Sequence, residues 1–166
     1  MKKAVFFDRD GTLNVDTGYV HKWADFVWIP GARDAIKLAN DRDYLTFVVT
    51  NQSGIGRGFY DEKTVHKLHE QMNTDLAKID ARIDGFAFCP HHPKEAQPEY
   101  LKICECRKPA PGMLLTIIKE WQIDPVQSLM IGDNDTDVAA ATAANVSGHL
   151  FTDGNLKEFL APLLTR

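Results

Sequence analysis

The feature that most constrains this chain is a short apolar run that ends abruptly at two carboxylates. Residues 4–7 are Ala-Val-Phe-Phe, and Asp8 and Asp10 follow before a Gly-Thr turn. An unbroken apolar run of this length predicts a strand that is buried on both faces, as in a parallel sheet. Because aspartate disfavours strands, both carboxylates are predicted in the loop just beyond the strand. In open α/β sheets, ligands bind at that end of the strands.

Two neighbouring carboxylates repel each other unless a cation or a proton compensates their charge. Oxygen ligands favour Mg²⁺, so the pair Asp8 and Asp10 predicts a magnesium-dependent phosphate site. A solvated acidic turn explains the same residues if the motif is taken alone. The residues at the ends of the other strands decide between these two interpretations.

The pattern of apolar residues predicts strands and helices that alternate along the chain. The predicted strands after the first lie at 45–49, 83–88, 128–132 and near 149–151, and the predicted helices at about 32–40, 61–79, 113–121, 138–144 and 155–164. Such alternation is typical of a Rossmann-like, doubly wound parallel α/β sheet. The long connection at residues 15–29, here named the flap, is expected to lie beside the carboxylates.

The composition indicates an ordinary globular protein. The 166 residues are 44% hydrophobic and 25% charged, which predicts a single domain over residues 1–166. A net charge of −4 and the absence of a long basic run argue against nucleic acid as a partner. The first apolar run is too short for a signal peptide or a membrane span, so we expect a cytoplasmic protein without a membrane partner. A monomer is the default expectation.

Polar side chains also follow the second and fourth predicted strands. The second strand leads into hydroxyl and amide groups, at Thr50, Asn51, Gln52 and Ser53. The glycine-rich stretch at 54–58 comes next, and together they predict a loop that cradles phosphate. Asp133 follows the fourth strand, with Asp137 beyond it. Since the ends of parallel strands share one edge of the sheet, all these groups are expected to converge on Asp8 and Asp10.

These strand ends resemble the motifs of the haloacid dehalogenase (HAD) superfamily of phosphohydrolases. The resemblance rests on Asp8-Arg9-Asp10-Gly11-Thr12, on Thr50, and on Gly132-Asp133-x-x-x-Asp137. It implies that Asp8 is a nucleophile that becomes phosphorylated and that Asp10 is the general acid and base. It also implies that Mg²⁺ is held by Asp8, the backbone carbonyl of Asp10, and Asp133.

The same resemblance assigns roles to further residues. Lys108 is expected to steady the phosphoryl group, Arg107 to help hold the substrate, and Thr50 to donate its hydroxyl to a phosphoryl oxygen. Asp137 is expected to orient its neighbours or to begin a helix. A solvated basic pair is the alternative interpretation of residues 107–108.

The cysteines lie in two clusters, Cys89-Pro90-His91-His92 and Cys104-Glu105-Cys106. Three thiolates and one imidazole satisfy tetrahedral Zn²⁺ without an open position, which predicts a structural zinc loop at about 89–106. His91 is the preferred fourth ligand, because Cys-x-His mirrors Cys-x-Cys, and His92 is the alternative. Three free cysteines without a metal are the other interpretation. An odd number of cysteines fits a reducing compartment.

A Cys-x-His…Cys-x-Cys loop within this fold resembles two groups of enzymes, the D-glycero-D-manno-heptose 1,7-bisphosphate phosphatases and the related histidinol-phosphate phosphatases. Residues 14–21, 50–55 and 106–115 favour the heptose group, and Ser53 stands where the histidinol relatives tend to carry an acid. The resemblance implies removal of the 7-phosphate of a heptose bisphosphate, in the supply of lipopolysaccharide precursors. Asn134 departs from the lysine that the heptose enzymes often carry at that position, which removes one substrate contact.

Three alternatives remain open at this point. The first two are a histidinol-phosphate phosphatase and a phosphatase of another small phosphosugar. The third is a zinc-stabilised binding module without catalysis. The chain has no insertion large enough to form a cap over the site, so the flap and the zinc loop are expected to shape the pocket.

Overall fold

Strand β1 (Ala4–Phe7) is the central strand of a parallel sheet. In the computed structural model, which describes residues 1–164, the strand order is β3-β2-β1-β4-β5. All neighbouring strands in this order pair in parallel. The other strands are β2 (Leu45–Asn51), β3 (Gly85–Cys89), β4 (Leu129–Gly132) and β5 (Ser147–Leu150), of which β3 and β5 form the edges. Every residue of β1 is buried, as its apolar sequence predicts.

Helices cover both faces of this sheet. They are α1 (Ala32–Asp41), α2 (Ser53–Gly56), α3 (Glu62–Ala77), α4 (Gly112–Trp121), α5 (Asp135–Ala143) and α6 (Leu156–Leu160). Val5 and Phe7 of β1 pack in one apolar cluster with α1, α3 and α6, whereas Ala4 and Phe6 pack in a second cluster with α4 and α5. This arrangement confirms the predicted doubly wound α/β fold. No helix within residues 1–164 is long and apolar enough to cross a membrane.

The glycine-rich stretch after β2 does not form the predicted loop, and its role in holding phosphate stays a prediction. Residues 53–56 form the short helix α2, and the glycines there serve close packing. A Cβ atom on Gly54 would lie 2.4 Å from the Tyr60 ring, and one on Gly56 would lie 2.6 Å from the backbone oxygen of Pro90. The spacing of these two glycines therefore reflects their close packing against Tyr60 and Pro90.

Two helix boundaries differ from the prediction by three residues or more. Helix α5 begins at Asp135 rather than at residue 138, because Asn134 and Asp137 form a capping box. The backbone N–H of Asn134 donates to Asp137 Oδ2 over 3.1 Å. Helix α6 ends at Leu160, and a 3₁₀ turn at Ala161–Leu163 follows. Pro162 in that turn has no N–H to continue an α-helix.

The flap folds back against the loop that leaves β1. The Val15 N–H donates to Val27 O over 2.8 Å, and an isolated antiparallel bridge pairs Asn14 with Trp28. The Trp28 Nε1–H donates to Asp75 Oδ2 on α3 over 2.8 Å. A single bridge thus joins the flap to the β1 loop, and a side-chain hydrogen bond attaches it to α3.

In the sheet, β2 lies on one side of β1 and β4 lies on the other. The strands β1 and β4 therefore border the topological switch point, where ligands bind in folds of this kind. The loops that leave β1 and β4 approach closely there. Gly11 has φ +90°, and a Cβ atom on it would lie 2.1 Å from Asp133 Oδ2. A side chain at position 11 would therefore displace the Asp133 carboxylate.

We expect Gly11→Ala to lower the free energy of unfolding by more than the cost of the left-handed conformation alone, which is about 1–2 kcal/mol. Gly154→Ala is the matched control, since Gly154 has φ +92° and no described atom lies within 4 Å of a Cβ built there. Urea denaturation of both variants measures the difference. Equal losses in the two variants would show that the close approach to Asp133 carries no energetic cost.

Candidate active site

A cavity of about 320 Å³ opens at the carboxyl end of the sheet. Most of the residues predicted for a phosphate site line it, namely Asp8, Asp10, Thr50, Asn51, Gln52, Ser53, Lys108 and Asp137. Asn134 from the N-cap of α5 and Tyr19 from the flap also border it. The structure therefore brings together the polar groups from three strand ends, as the order of the strands requires.

Lys108 supplies the positive charge at the floor of this cavity. The residue is only 4% exposed, and its Nζ lies 2.8 Å from Asp8 Oδ1 and 2.6 Å from Asp137 Oδ1. Its third donor direction is taken by Val49 O at 2.8 Å. The side chain of Asn51 fixes the backbone of Lys108, because Oδ1 accepts from the Lys108 N–H and Nδ2 donates to the Lys108 carbonyl.

Burial and neighbouring charges determine how these groups ionise. Burial raises the pKa of Asp8 to about 7, while the Lys108 ammonium acts in the opposite direction. Burial alone would lower the pKa of Lys108, but the carboxylates of Asp8 and Asp137 outweigh it and raise that pKa. Lys108 therefore remains an ammonium at neutral pH and favours the ionised form of Asp8.

The carboxylates of Asp8, Asp133 and Asp137 form a cluster that fits a hard cation. Each offers an oxygen within 4.8 Å of the others. Asp137 is already committed to Lys108 and to the Asn134 N–H, whereas Asp133 Oδ1 is buried without a hydrogen-bond partner among residues 1–164. An orphaned carboxylate oxygen beside Asp8 suits an oxygen-liganded divalent ion such as Mg²⁺.

Asp10 faces the same cavity and is held by several donors. Its Oδ1 accepts from Asn14 Nδ2 at 3.0 Å and from Arg9 Nη2 at 3.0 Å, and its Oδ2 accepts from Gln52 Nε2 at 3.0 Å. Gln52 also donates to Thr50 Oγ1 at 2.9 Å and accepts from the Tyr60 hydroxyl at 2.6 Å. Asp10 and Thr50 are therefore fixed relative to each other through one amide side chain.

Sequence reasoning missed three members of this network, Arg9, Asn14 and Tyr60. Arg9 and Asn14 stood within or beside the first motif, and the signal available was the polar character of residues that directly follow a buried strand. Tyr60 carried no such signal, because it reaches the site only through the turn that follows α2. Burial raises the pKa of Tyr60 to about 12, so it stays a neutral donor to Gln52.

Arg107 does not join the other predicted residues. Its Nη1 donates to the His91 carbonyl over 3.4 Å, and its side chain borders a different cavity, of about 310 Å³, next to Ile103 and Pro109. The role of Arg107 in holding the substrate stays a prediction.

The cysteine clusters meet beside β3. The Sγ atoms of Cys89, Cys104 and Cys106 lie 2.8–3.5 Å apart, and His91 Nδ1 lies 3.5 Å from Cys89 Sγ and 3.4 Å from Cys106 Sγ. Four ligand atoms that surround a zinc ion tetrahedrally at about 2.0–2.3 Å lie at distances of this order from one another. His92 faces elsewhere, because its Nδ1 accepts from the N–H groups of residues 94 and 95. The geometry fits one tetrahedral metal ion with His91 as the fourth ligand.

Known proteins resemble this chain in sequence and in fold. A family model described as HAD-hydrolase-like matches residues 105–160. The chain is 49% identical to the D-glycero-β-D-manno-heptose-1,7-bisphosphate 7-phosphatase of Haemophilus influenzae, over 88% of this chain and 79% of that protein. It is 47% identical to the protein of the same name from Escherichia coli, over 86% of this chain and 75% of that protein.

A solved structure extends the likeness to three dimensions. The D,D-heptose 1,7-bisphosphate phosphatase of B. bronchiseptica, crystallised with magnesium and phosphate, superposes with a TM-score of 0.79 at 32% identity. The match covers 96% of this chain and 86% of that one. On the identity and coverage of these relatives, the chain belongs to the heptose-1,7-bisphosphate 7-phosphatase family of HAD-type hydrolases.

Proposed function

We propose that the chain is a Mg²⁺-dependent phosphomonoesterase that removes the 7-phosphate of D-glycero-D-manno-heptose 1,7-bisphosphate. The observation that carries the proposal is the convergence of Asp8, Asp10 and Lys108 on one cavity. A nucleophile, a proton donor and a fixed cation are the groups that phosphoryl transfer through a covalent intermediate requires. The identity of the sugar is inferred from the names of the relatives and from their sequence identity to this chain.

In the first step, an Asp8 carboxylate oxygen attacks the phosphorus atom while the bond from phosphorus to the sugar oxygen breaks. Asp10 gives its proton to the leaving alkoxide, which departs as an alcohol. Lys108 lies within 2.8 Å of Asp8 and offers its charge to the phosphoryl oxygens beside it. The Thr50 hydroxyl, at the end of β2, is placed to donate to another of these oxygens.

In the second step, Asp10 takes a proton from a water molecule, and that water attacks the phosphorus atom of the phosphorylated Asp8. The bond between Asp8 and phosphorus breaks, inorganic phosphate leaves, and the Asp8 carboxylate is restored. Arg9, Asn14 and Gln52 hold the Asp10 carboxyl in place for this step as well. One residue thus serves as acid and then as base.

The side chains of Asp8 and Asp133 and the backbone carbonyl of Asp10 would hold the Mg²⁺. When bound, the ion neutralises negative charge on the phosphoryl group in transfer. The buried, unpartnered Asp133 Oδ1 supports this assignment.

The substrate assignment is tested by comparing kcat/KM for phosphate release in the presence of Mg²⁺. We expect the β anomer of heptose 1,7-bisphosphate, the anomer named for the relatives, to exceed histidinol phosphate and hexose phosphates by at least about 10-fold, a difference of about 1.4 kcal/mol in transition-state binding. Asp8→Asn is the control and should release no phosphate. A faster reaction with histidinol phosphate would reassign the substrate, and no release from any phosphate ester would indicate a binding module.

Replacing Lys108 by Met should lower kcat by about 10²–10³-fold, the usual cost of removing one group that stabilises transition-state charge. The substitution also leaves the Asp8 and Asp137 carboxylates without the cation between them. Lys102→Met is the matched control, because Lys102 is exposed on the zinc loop. A kcat for Lys108→Met within about threefold of the wild-type value would contradict the proposed role.

We also propose that the cluster of Cys89, His91, Cys104 and Cys106 binds one structural Zn²⁺. The four ligand atoms lie within 4.8 Å of one another and leave no position for a substrate. The loop that they form borders the active site, since Cys89 O accepts from the Gln52 N–H over 2.8 Å. The zinc would therefore stabilise one wall of the phosphate site.

Protein purified without chelators should contain about one equivalent of zinc by elemental analysis. We expect His91→Ala to lose most of this zinc and His92→Ala to retain it, because only the His91 ring faces the three sulfur atoms. Absence of zinc from the wild-type protein would refute the metal site. Loss of zinc from His92→Ala alone would reassign the fourth ligand.

A further inference from the structure

Arg9 is a buried cation to which the proposed reaction assigns no role. It stands between Asp8 and Asp10 in the sequence and is 0% exposed. A guanidinium cannot lose its charge in a protein, and a charge removed from water must be compensated by partners. The partners of Arg9 therefore indicate why the chain keeps a charge at this position.

The main partner of Arg9 is the Asp10 carboxylate. Arg9 Nη2 lies 3.0 Å from Asp10 Oδ1 and 3.2 Å from Oδ2, and Arg9 Nε lies 3.3 Å from Oδ1. Nη2 also donates to the backbone oxygen of Val20 in the flap over 2.6 Å. A planar fork of donors fixes the orientation of a carboxylate as well as its distance.

His69 of α3 holds the other end of the guanidinium. Its Nε2 lies 3.2 Å from Arg9 Nη1, and since arginine has no acceptor, Nε2 must accept this bond. The imidazole is buried and stacks on the Phe86 ring at a centroid distance of 4.4 Å. Burial and the Arg9 charge lower the pKa of His69 well below its usual value, which keeps the ring neutral.

We propose that Arg9 is a positioning residue that aims the Asp10 carboxyl at the leaving group, and that His69 fixes Arg9 in the orientation this requires. The inference rests on the proposed phosphatase function. Neither residue lines the cavity of about 320 Å³, so both act through Asp10. The contacts run from His69 on α3 to Arg9 and from Arg9 to the Asp10 carboxyl, which delivers the proton.

Such a role has a kinetic signature that depends on the leaving group. A sugar alkoxide needs the proton from Asp10 when its bond to phosphorus breaks, whereas p-nitrophenolate is stable enough to leave without it. The ratio kcat/KM reports only the steps through phosphorylation of Asp8, so the later role of Asp10 as a base does not enter. A misplaced Asp10 must slow the sugar phosphate selectively.

The test changes His69 rather than Arg9, because replacing a fully buried charge endangers folding. His69→Phe keeps a ring on Phe86 and removes the acceptor, while His69→Gln restores an acceptor oxygen at a similar reach. His66→Phe is the matched control, since His66 is an exposed residue one turn earlier on the same helix.

We expect His69→Phe to lower kcat/KM for heptose 1,7-bisphosphate by about 10-fold or more, a part of the 10²–10⁴ that a general acid contributes. The value for p-nitrophenyl phosphate should change by less than about threefold, which is small against the effect of a lost general acid. His69→Gln should recover most of the loss, and His66→Phe should show none.

An equal loss on both substrates would overturn the positioning role, because a general disturbance of the fold slows every ester. Unchanged kinetics in His69→Phe would overturn it as well. The wild-type protein separates this inference from the function on which it rests. If the wild-type protein releases no phosphate from either ester, the phosphatase assignment itself fails. If the wild-type protein is active but His69→Phe shows no selective loss, only the role of Arg9 and His69 is refuted.

Discussion

The Lys108 ammonium between two buried carboxylates is the interaction on which the active site depends. Asp8 ends β1 and Asp137 lies in the first turn of α5, so Lys108 joins the two sides of the topological switch point. Without the ammonium, these carboxylates would repel each other in a poorly solvated space, and Asp8 would retain a proton at a higher pH. The same charge that holds the site together therefore opposes the rise in the pKa of the nucleophile that burial causes.

Lys108 occupies this position because of the loop that precedes it. Asn51 at the end of β2 holds the Lys108 backbone through both the oxygen and the nitrogen of its side-chain amide. The backbone oxygen of Cys89 at the end of β3 accepts from the N–H of Gln52. The cluster of Cys89, His91, Cys104 and Cys106 brings the two ends of residues 89–106 together just before Lys108. A metal in that cluster would thus act on catalysis through the position of Lys108, with no contact to the substrate.

Much of this arrangement could be predicted from the sequence, because buried parallel strands have a strong apolar signature and their ends converge. The run at 4–7 identified β1 and with it the placement of Asp8 and Asp10. The helix at 53–56 was missed because the contacts that require its glycines, with Tyr60 and Pro90, lie outside that stretch. The start of α5 was placed too late because its acidic first turn interrupts the apolar pattern. Arg9 was overlooked because a single sequence does not show that this charged side chain is fully buried.

The contrast between Arg9 and Lys108 follows from the geometry of the chain at the end of β1. Asp8 and Asp10 line the cavity, whereas Arg9 between them is fully buried and contacts His69 of α3. Each carboxylate then has its own cation, with Lys108 beside Asp8 and Arg9 beside Asp10. An ammonium is a compact point charge that suits a phosphoryl group, whereas a rigid guanidinium fork fixes the direction of a proton donor. The identity of each cation therefore matches the task of its carboxylate, and exchanging Lys and Arg at either position would conserve charge while losing that match.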